Sequence, residues 1–269
     1  MIFSFKNKGK RIYKLIREEK NQFQGFLNEN HIEMDLNIEL IDEPQQKFRI
    51  GIENYKQSND KGLFKWAGDL HFVRNDVEFT LVNGQLGEVS NLEKIKNQWQ
   101  RKRLSIISDH SDEKYADIFI NGVDEIVKDA VRFSEALRFA SPYINLFPGI
   151  HGKNYEEEAV LNGYRELPNF LVTKTLPIVT DEQLIRTQDG MYEINVKGNV
   201  DEKKYDNKQA STMLRILKNS PRLNTQVQLN YLERHSLDKD FWPEQSLILC
   251  VAQIPGTLYR EEKTMLKLQ

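Results

Sequence analysis

Cysteine is almost missing from this chain of 269 residues; Cys250 stands alone, so no disulfide can close within it. Also missing is any run near the ~20 apolar residues that a bilayer-spanning helix needs. The opening Met1-Ile2-Phe3-Ser4-Phe5-Lys6 lacks the apolar core and small-residue cleavage site of a secretory leader. Together these absences predict a cytoplasmic protein with no transmembrane segment. Excess charge of one sign is lacking too: 38 Lys and Arg stand against 40 Asp and Glu, a formal charge of −2. That balance excludes the global basicity of a dedicated nucleic-acid binder. A chain this long can bury roughly 70–75% of its unfolded surface, so it needs neither disulfide nor metal to fold.

Compact reactive motifs are equally scarce. Phe147-Pro148-Gly149-Ile150-His151-Gly152-Lys153-Asn154 has two residues between its glycines where a phosphate-binding loop needs four. Asn154 also takes the hydroxyl's place, so a Pro/Gly turn is the simpler reading. His151 precedes Glu156, Glu157 and Glu158, but no His-Glu-x-x-His run or paired cysteine accompanies them. Asp109-His110-Ser111-Asp112 holds the residue types of a hydrolase triad, whose members normally come from separate elements. Ser111 and Asp112 are better explained as the start of a helix. His31, His71 and His235 stand apart, the last beside Glu233. No catalytic residue, metal site or cofactor is therefore expected.

What is present is pattern. Ile32, Met34, Leu36, Ile38 and Leu40 alternate with polar residues, the period of a strand with one wet, acidic face. Residues 1–20 hold seven Lys and Arg, and Ile12, Ile16, Phe23 and Leu27 keep approximate helical spacing. A meander is expected near 48–55, 64–74, 77–82 and 85–89, with turns at Asn75-Asp76 and Asn83-Gly84. In it Phe72 would pair with Phe79 and Leu81 with Leu86, Gly87 hosting a bulge. Ser90-Asn91-Leu92-Glu93 reads as a capping box, opening a helix with Leu92, Ile95 and Trp99 inside. A wide apolar stripe from Tyr115 to Leu137 predicts one long helix, stopped by Ser141-Pro142. Residues 142–169 gather Pro142, Pro148, Gly149, Gly152, Gly163 and Pro168 and read as a linker or long loop, with a short helix over 155–161.

In the second half, Asp189-Gly190 would turn a hairpin pairing Ile185 with Ile194 and Thr187 with Tyr192. Asp201 or Asp206 would open a helix through Ala210, Met213, Leu214 and Leu217, ended by Asn219-Ser220-Pro221. Strands are expected over 225–234, 246–252 and 258–268, and Cys250 would lie buried in one of them. The fold class is therefore α+β: antiparallel sheets, built of meander and hairpins, packed by helices in two similar-looking halves. The N-terminal half is 1–141, with strands about 32–89 and helices about 91–107 and 112–140. The C-terminal half is 170–269.

Two basic clusters, Lys94 to Arg103 and Lys6 to Arg17, lack an aromatic stacking platform and read as solvated faces. The aromatic pair Phe241-Trp242 lies in the polar stretch Asp238–Glu244, where it is either a lid on the core or a partner-binding anchor. The functional expectation is a non-catalytic protein-protein interaction module: an adaptor, assembly component or immunity-type protein. The alternatives are a hydrolase-like enzyme whose site assembles only in three dimensions, and nucleic-acid or anionic membrane-surface binding.

Overall fold

The computed structural model describes residues 1–23, 25–113, 116–156, 159–171, 174–187, 191–218 and 225–269. Its strands are β1 (Gly9–Phe23), β2 (Phe26–Asp42), β3 (Lys47–Gln57), β4 (Asp76–Val82), β5 (Gln85–Val89), β6 (Val160–Leu171), β7 (Lys174–Arg186), β8 (Tyr192–Val200), β9 (Gln228–Leu237), β10 (Pro243–Ile254) and β11 (Leu258–Leu268). All belong to one antiparallel sheet of order β5-β4-β3-β2-β1-β11-β10-β9-β8-β7-β6. The antiparallel α+β class holds in that coarser form. Strands of both sequence halves join through β1 and β11, from Tyr13↔Leu268 to Phe23↔Leu258.

Alternation sets which face is inside. Ile32, Met34, Leu36, Ile38 and Leu40 are all buried, while Glu33, Asp35 and Glu39 line the opposite face. The same inner face carries Tyr13, Leu15, Ile50, Phe79, Ile178, Tyr231 and Cys250. Against it pack α2 (Leu92–Asp109), α3 (Ala116–Ile126), α4 (Ala130–Arg138), the short α5 (Tyr143–Leu146) and α6 (Asn207–Lys218). Each fully buried Leu, Ile or Phe there contributes about 1.5–3 kcal/mol relative to exposure. The other face is half-buried to exposed along its length.

Several local expectations change. The segment expected as an N-terminal helix forms β1 and the start of β2, because Tyr13 and Leu15, not Ile12 and Ile16, face the core. Residues 64–74, expected as a strand, form α1 (Leu63–Asp69) and a 3₁₀ turn, His71–Arg74, so Phe72 has no strand pairing. The stripe over 112–140 is two helices, since Asp129 starts α4 afresh by accepting from the Val131 and Arg132 amides. The longest helix is therefore α2. No capping box opens it. Asn91 instead bridges to β4, accepting from the Glu78 amide and donating to the Asp76 carbonyl.

Residues 142–151, expected within a linker, are all buried, and β6 begins at Val160 where a helix was expected to end. The hairpin register is off by one. Leu184 pairs with Ile194 and Ile185 with Glu193, which puts Leu184 in the core and leaves Ile185 exposed. The Asp189-Gly190 turn, the Asn219-Ser220-Pro221 stop and Tyr115 lie outside the described residues, as do the Met213 and Leu217 side chains. Other expectations match. Asn83 and Gly84 both take positive φ, Leu81 pairs with Leu86, and Phe79 skips to Val89 across an irregularity at Gly87. A side chain at Gly84 would strike the His151 backbone, with the carbonyl oxygen 2.3 Å from a Cβ. Asp206 accepts from the Gln209 amide and caps α6.

Candidate functional site

Two regions bring functional side chains together. The first is an inner polar network beneath β6, β7, β9 and β10. Tyr231, Glu233, His235 and Leu237 occupy alternate positions of β9 and so share its inner face. Glu233 Oε1 accepts from Arg165 Nε at 2.6 Å and from the Tyr231 hydroxyl at 2.5 Å. Its Oε2 meets Arg165 Nη2 at 3.0 Å and His235 Nε2 at 2.8 Å. His235 Nδ1 lies 3.0 Å from Ser246 Oγ. Beyond Arg165, Glu182 Oε2 accepts from Lys153 Nζ at 2.7 Å and the Tyr155 hydroxyl at 2.8 Å.

Burial alone would raise the Glu233 pKa, but the Arg165 charge, the His235 hydrogen bond and the His235 charge together hold it well below the usual carboxylate range. Burial would likewise lower the Arg165 pKa, and the Glu233 charge and hydrogen bonds reverse that, leaving it raised. His235 Nε2 donates to the ionised Glu233, which fixes the ring with Nδ1 beside the Ser246 hydroxyl. Ser246, His235 and Glu233 thus form a serine–imidazole–carboxylate chain. Ser246 and His235 are sealed from solvent, however, and no substrate carbonyl reaches Oγ in this arrangement. Its chemistry is that of a satisfied buried ion network. The sequence sets His235 beside Glu233 but shows it standing apart from any partner, whereas both are buried and joined by Arg165 and Ser246, which arrive from β6 and β10.

The second region is the outer face of the central strands. There Ile16 of β1, Met265 of β11 and Leu247 of β10 lie in register across three strands. One step along, Leu249 pairs with Leu232 of β9, and Leu232 is exposed. Ion pairs border this apolar belt: Lys14 to Glu33 at 2.8 Å, Lys263 to Glu18 at 3.9 Å and Arg234 to Glu193 at 3.6 Å. The surface hollows are shallow in chemistry as well as shape. One of about 410 Å³ is lined by Glu18, Lys20, Glu29, His31, Glu261 and Lys263, whose charges largely pair with one another.

The remaining sequence candidates are dispersed. Trp242 is 1% exposed, its indole wedged against Phe5 and Phe48 with the Arg11 guanidinium over the ring. That is the lid geometry rather than that of an exposed anchor, and it follows from the large apolar area an indole removes from water. Phe241 is half-buried against Phe3, with Lys6 over its ring. His110 is buried between Asp69 and Glu113, at 2.9 Å from each, and stacks on Trp66. Asp109, Ser111 and Asp112 take no part in that contact set.

His151 is buried and stacked on Phe5, and its pKa is pushed down to about 4 by burial and the charge of His235, against the hydrogen bond to the Phe241 carbonyl. Cys250 is buried in β10, and burial pushes its thiol up to about 12. The basic clusters are partly neutralised: Lys94 pairs with Asp76, Arg103 with Asp124, and Arg11 with Asp238 and Asp240. Among the described residues no three His, Cys, Asp or Glu converge on a metal position, and no helix is long and apolar enough to cross a membrane.

No family model and no curated protein matches this chain. Among solved structures it is similar to one described as "Lipid-protein interactions in lipovitellin", at 11% identity and a TM-score of 0.49. That likeness covers 98% of this chain and 25% of the other, so the chain spans about a quarter of its length.

Proposed function

We propose that this chain is a non-catalytic protein-binding module whose partner docks on the outer face of β1, β11, β10 and β9. The observation carrying this reading is the in-register row Ile16–Met265–Leu247 beside Leu249–Leu232, unpartnered by any helix among the described residues. An apolar centre ringed by paired charges is the anatomy of a protein interface, and paired rim charges favour register over raw affinity. The hydrolase-like alternative would need Ser246 to meet a substrate, and its hydroxyl is sealed inside. Phe241 and Trp242, the first candidates for anchors, support the interior in this reading and leave recognition to the sheet face.

The test is a pair of belt variants, Leu232→Glu and Leu249→Glu, purified beside the parent chain. Both side chains stand on the outer face, so melting temperatures should shift by only a few degrees. A defined partner recovered with the parent should be lost with each variant. Equal recovery with parent and variants would remove the belt from the binding surface.

A further inference from the structure

On its β2 side the β1–β2 hairpin runs farther than β3 follows it, while β11 accompanies β1 as far as Phe23↔Leu258. β1 and β2 stay paired from Gly9↔Leu40 to Phe23↔Phe26, whereas β3 pairs with β2 only as far as Ile32↔Gln57. Glu29, Asn30 and His31 are met on that side by Ser58 and Asn59, which leaves Phe26, Leu27 and Asn28 paired with β1 alone. At their tip Phe26 is 75% exposed and Leu27 is 51% exposed. Adjacent strand residues point to opposite faces. The hairpin thus presents large apolar side chains in both directions at once.

The tip is also uncharged. Asn21-Gln22-Phe23-Gln24-Gly25-Phe26-Leu27-Asn28 contains no ionisable side chain. The first charges met along the hairpin are Lys20 and Glu29, paired at 2.9 Å, and Arg260 of β11, opposite Asn21, is paired with Glu262. Gly25 turns the chain at φ 87°, a conformation glycine adopts without strain. From the Lys20–Glu29 pair to the turn is four to five residues, roughly 15 Å at strand rise. The apolar end of that length matches the roughly 5–10 Å depth at which interfacial segments rest.

We propose that this tip is a shallow wedge for an uncharged lipid surface, with Phe26 and Leu27 entering the headgroup–acyl boundary and the Asn21, Gln22 and Asn28 side chains at headgroup level. A groove on a protein covers one face of a strand and would leave the other apolar side chain in water. A bilayer interface surrounds both. The absence of a basic rim selects a zwitterionic surface over an anionic one. This inference is independent of the outer-face reading, which concerns the middle of the sheet.

Sedimentation with phosphatidylcholine vesicles tests it on the whole chain. The parent should bind weakly and reversibly, and raising the salt to about 0.5 M should leave binding unchanged. Phe26→Ser/Leu27→Ser should lower the partition coefficient about tenfold or more while the melting temperature stays put, two apolar side chains having left the boundary. Leu104→Ser, on α2 and equally exposed at 75%, should bind as the parent does. A second readout uses Phe26→Trp. Trp66, Trp99 and Trp242 are buried, so quenching by brominated phosphatidylcholine should report the introduced indole alone. No sedimentation of the parent, binding that survives the double substitution, binding that requires anionic lipid and vanishes in salt, or an introduced indole that stays unquenched would each overturn the proposal. So would a tip that captures a protein partner without binding vesicles.

Discussion

The Trp242 indole N–H donates to the Lys6 carbonyl at 2.7 Å, tying the β9–β10 connection to the segment leading into β1. Both the ring and its polar handle are thereby satisfied inside the molecule. Trp242→Ala should cost about 3–5 kcal/mol of folding stability through the cavity it leaves. Trp242→Phe should recover much of the packing but strand the Lys6 carbonyl, at about 1–3 kcal/mol. Denaturant titration of both variants checks the order. Equal stability of Trp242→Ala and the parent would return the residue to the surface.

Acid should weaken the fold through its buried imidazoles. His151 titrates near 6.5 when unfolded and near 4 when folded. Between those values the unfolded chain takes up a proton that the folded chain refuses, so stability rises with pH across that window and falls as pH drops through it. Taken alone, this buried imidazole contributes on the order of 3 kcal/mol of lost stability by pH 4. His71, also depressed to about 4 by burial and by Arg74 and Lys102, acts in the same direction. His151→Gln should flatten the dependence of melting temperature on pH between 4 and 6.5, leaving the His71 share. An unchanged slope would mean that His151 is solvated.

The inner ion network makes a sharper prediction about pairs than about single residues. Arg165→Met leaves Glu233 buried with only His235 and the Tyr231 hydroxyl, and Glu182 with Lys153 and the Tyr155 hydroxyl, and should cost about 3–5 kcal/mol. Arg165→Met combined with Glu233→Gln removes the orphaned charge and should be less damaging than the sum of the two single changes. A double-mutant cycle by urea unfolding measures the difference. Strict additivity would show that the two groups do not interact.

Cys250 should behave as a small hydrophobe. With its thiol pushed up to about 12, thiolate is scarce at neutral pH, and the native protein should label slowly with a maleimide. Unfolding in urea should release it to full reactivity. Cys250→Ser should lose about 1–3 kcal/mol, because it places a hydroxyl in an apolar site. Rapid native labelling would contradict the buried assignment.

How much of this was legible depended on where the partner of each residue lay. β2 could be read because its acidic residues face water and leave an unbroken inner alternation. The β4–β5 turn could be read because Asn83-Gly84 carries its own demand for positive φ. β1 could not. Its inner row continues from Leu15 into Arg17 and Glu19, which breaks the apolar pattern, and Arg17 finds Glu262 at 3.0 Å from 245 positions away. Residues 64–74 carry enough aromatics to suggest a strand, yet they fold over Tyr55, Phe72 stacking on Trp99 of α2. The candidate site divides the same way. Glu233 and His235 were close in the sequence yet read as standing apart, because Arg165, Glu182 and Ser246 belong to other strands and became visible only once the sheet was assembled. The outer belt was hidden for a related reason, since Ile16, Met265 and Leu247 align only through register.

The sheet order places the earliest strand beside the latest. Every other strand pair joins neighbours in the sequence, so ten of the eleven strands can zip as local hairpins while the chain is still being made. The β1–β11 seam cannot form until β11 exists, and until then β1 and β10 are raw edges with unpaired amides and carbonyls. A ribosome paused before Leu258 would thus carry two incomplete half-sheets, each open to the wrong partner. The eleven residues of β11 act as the latch that turns them into one body.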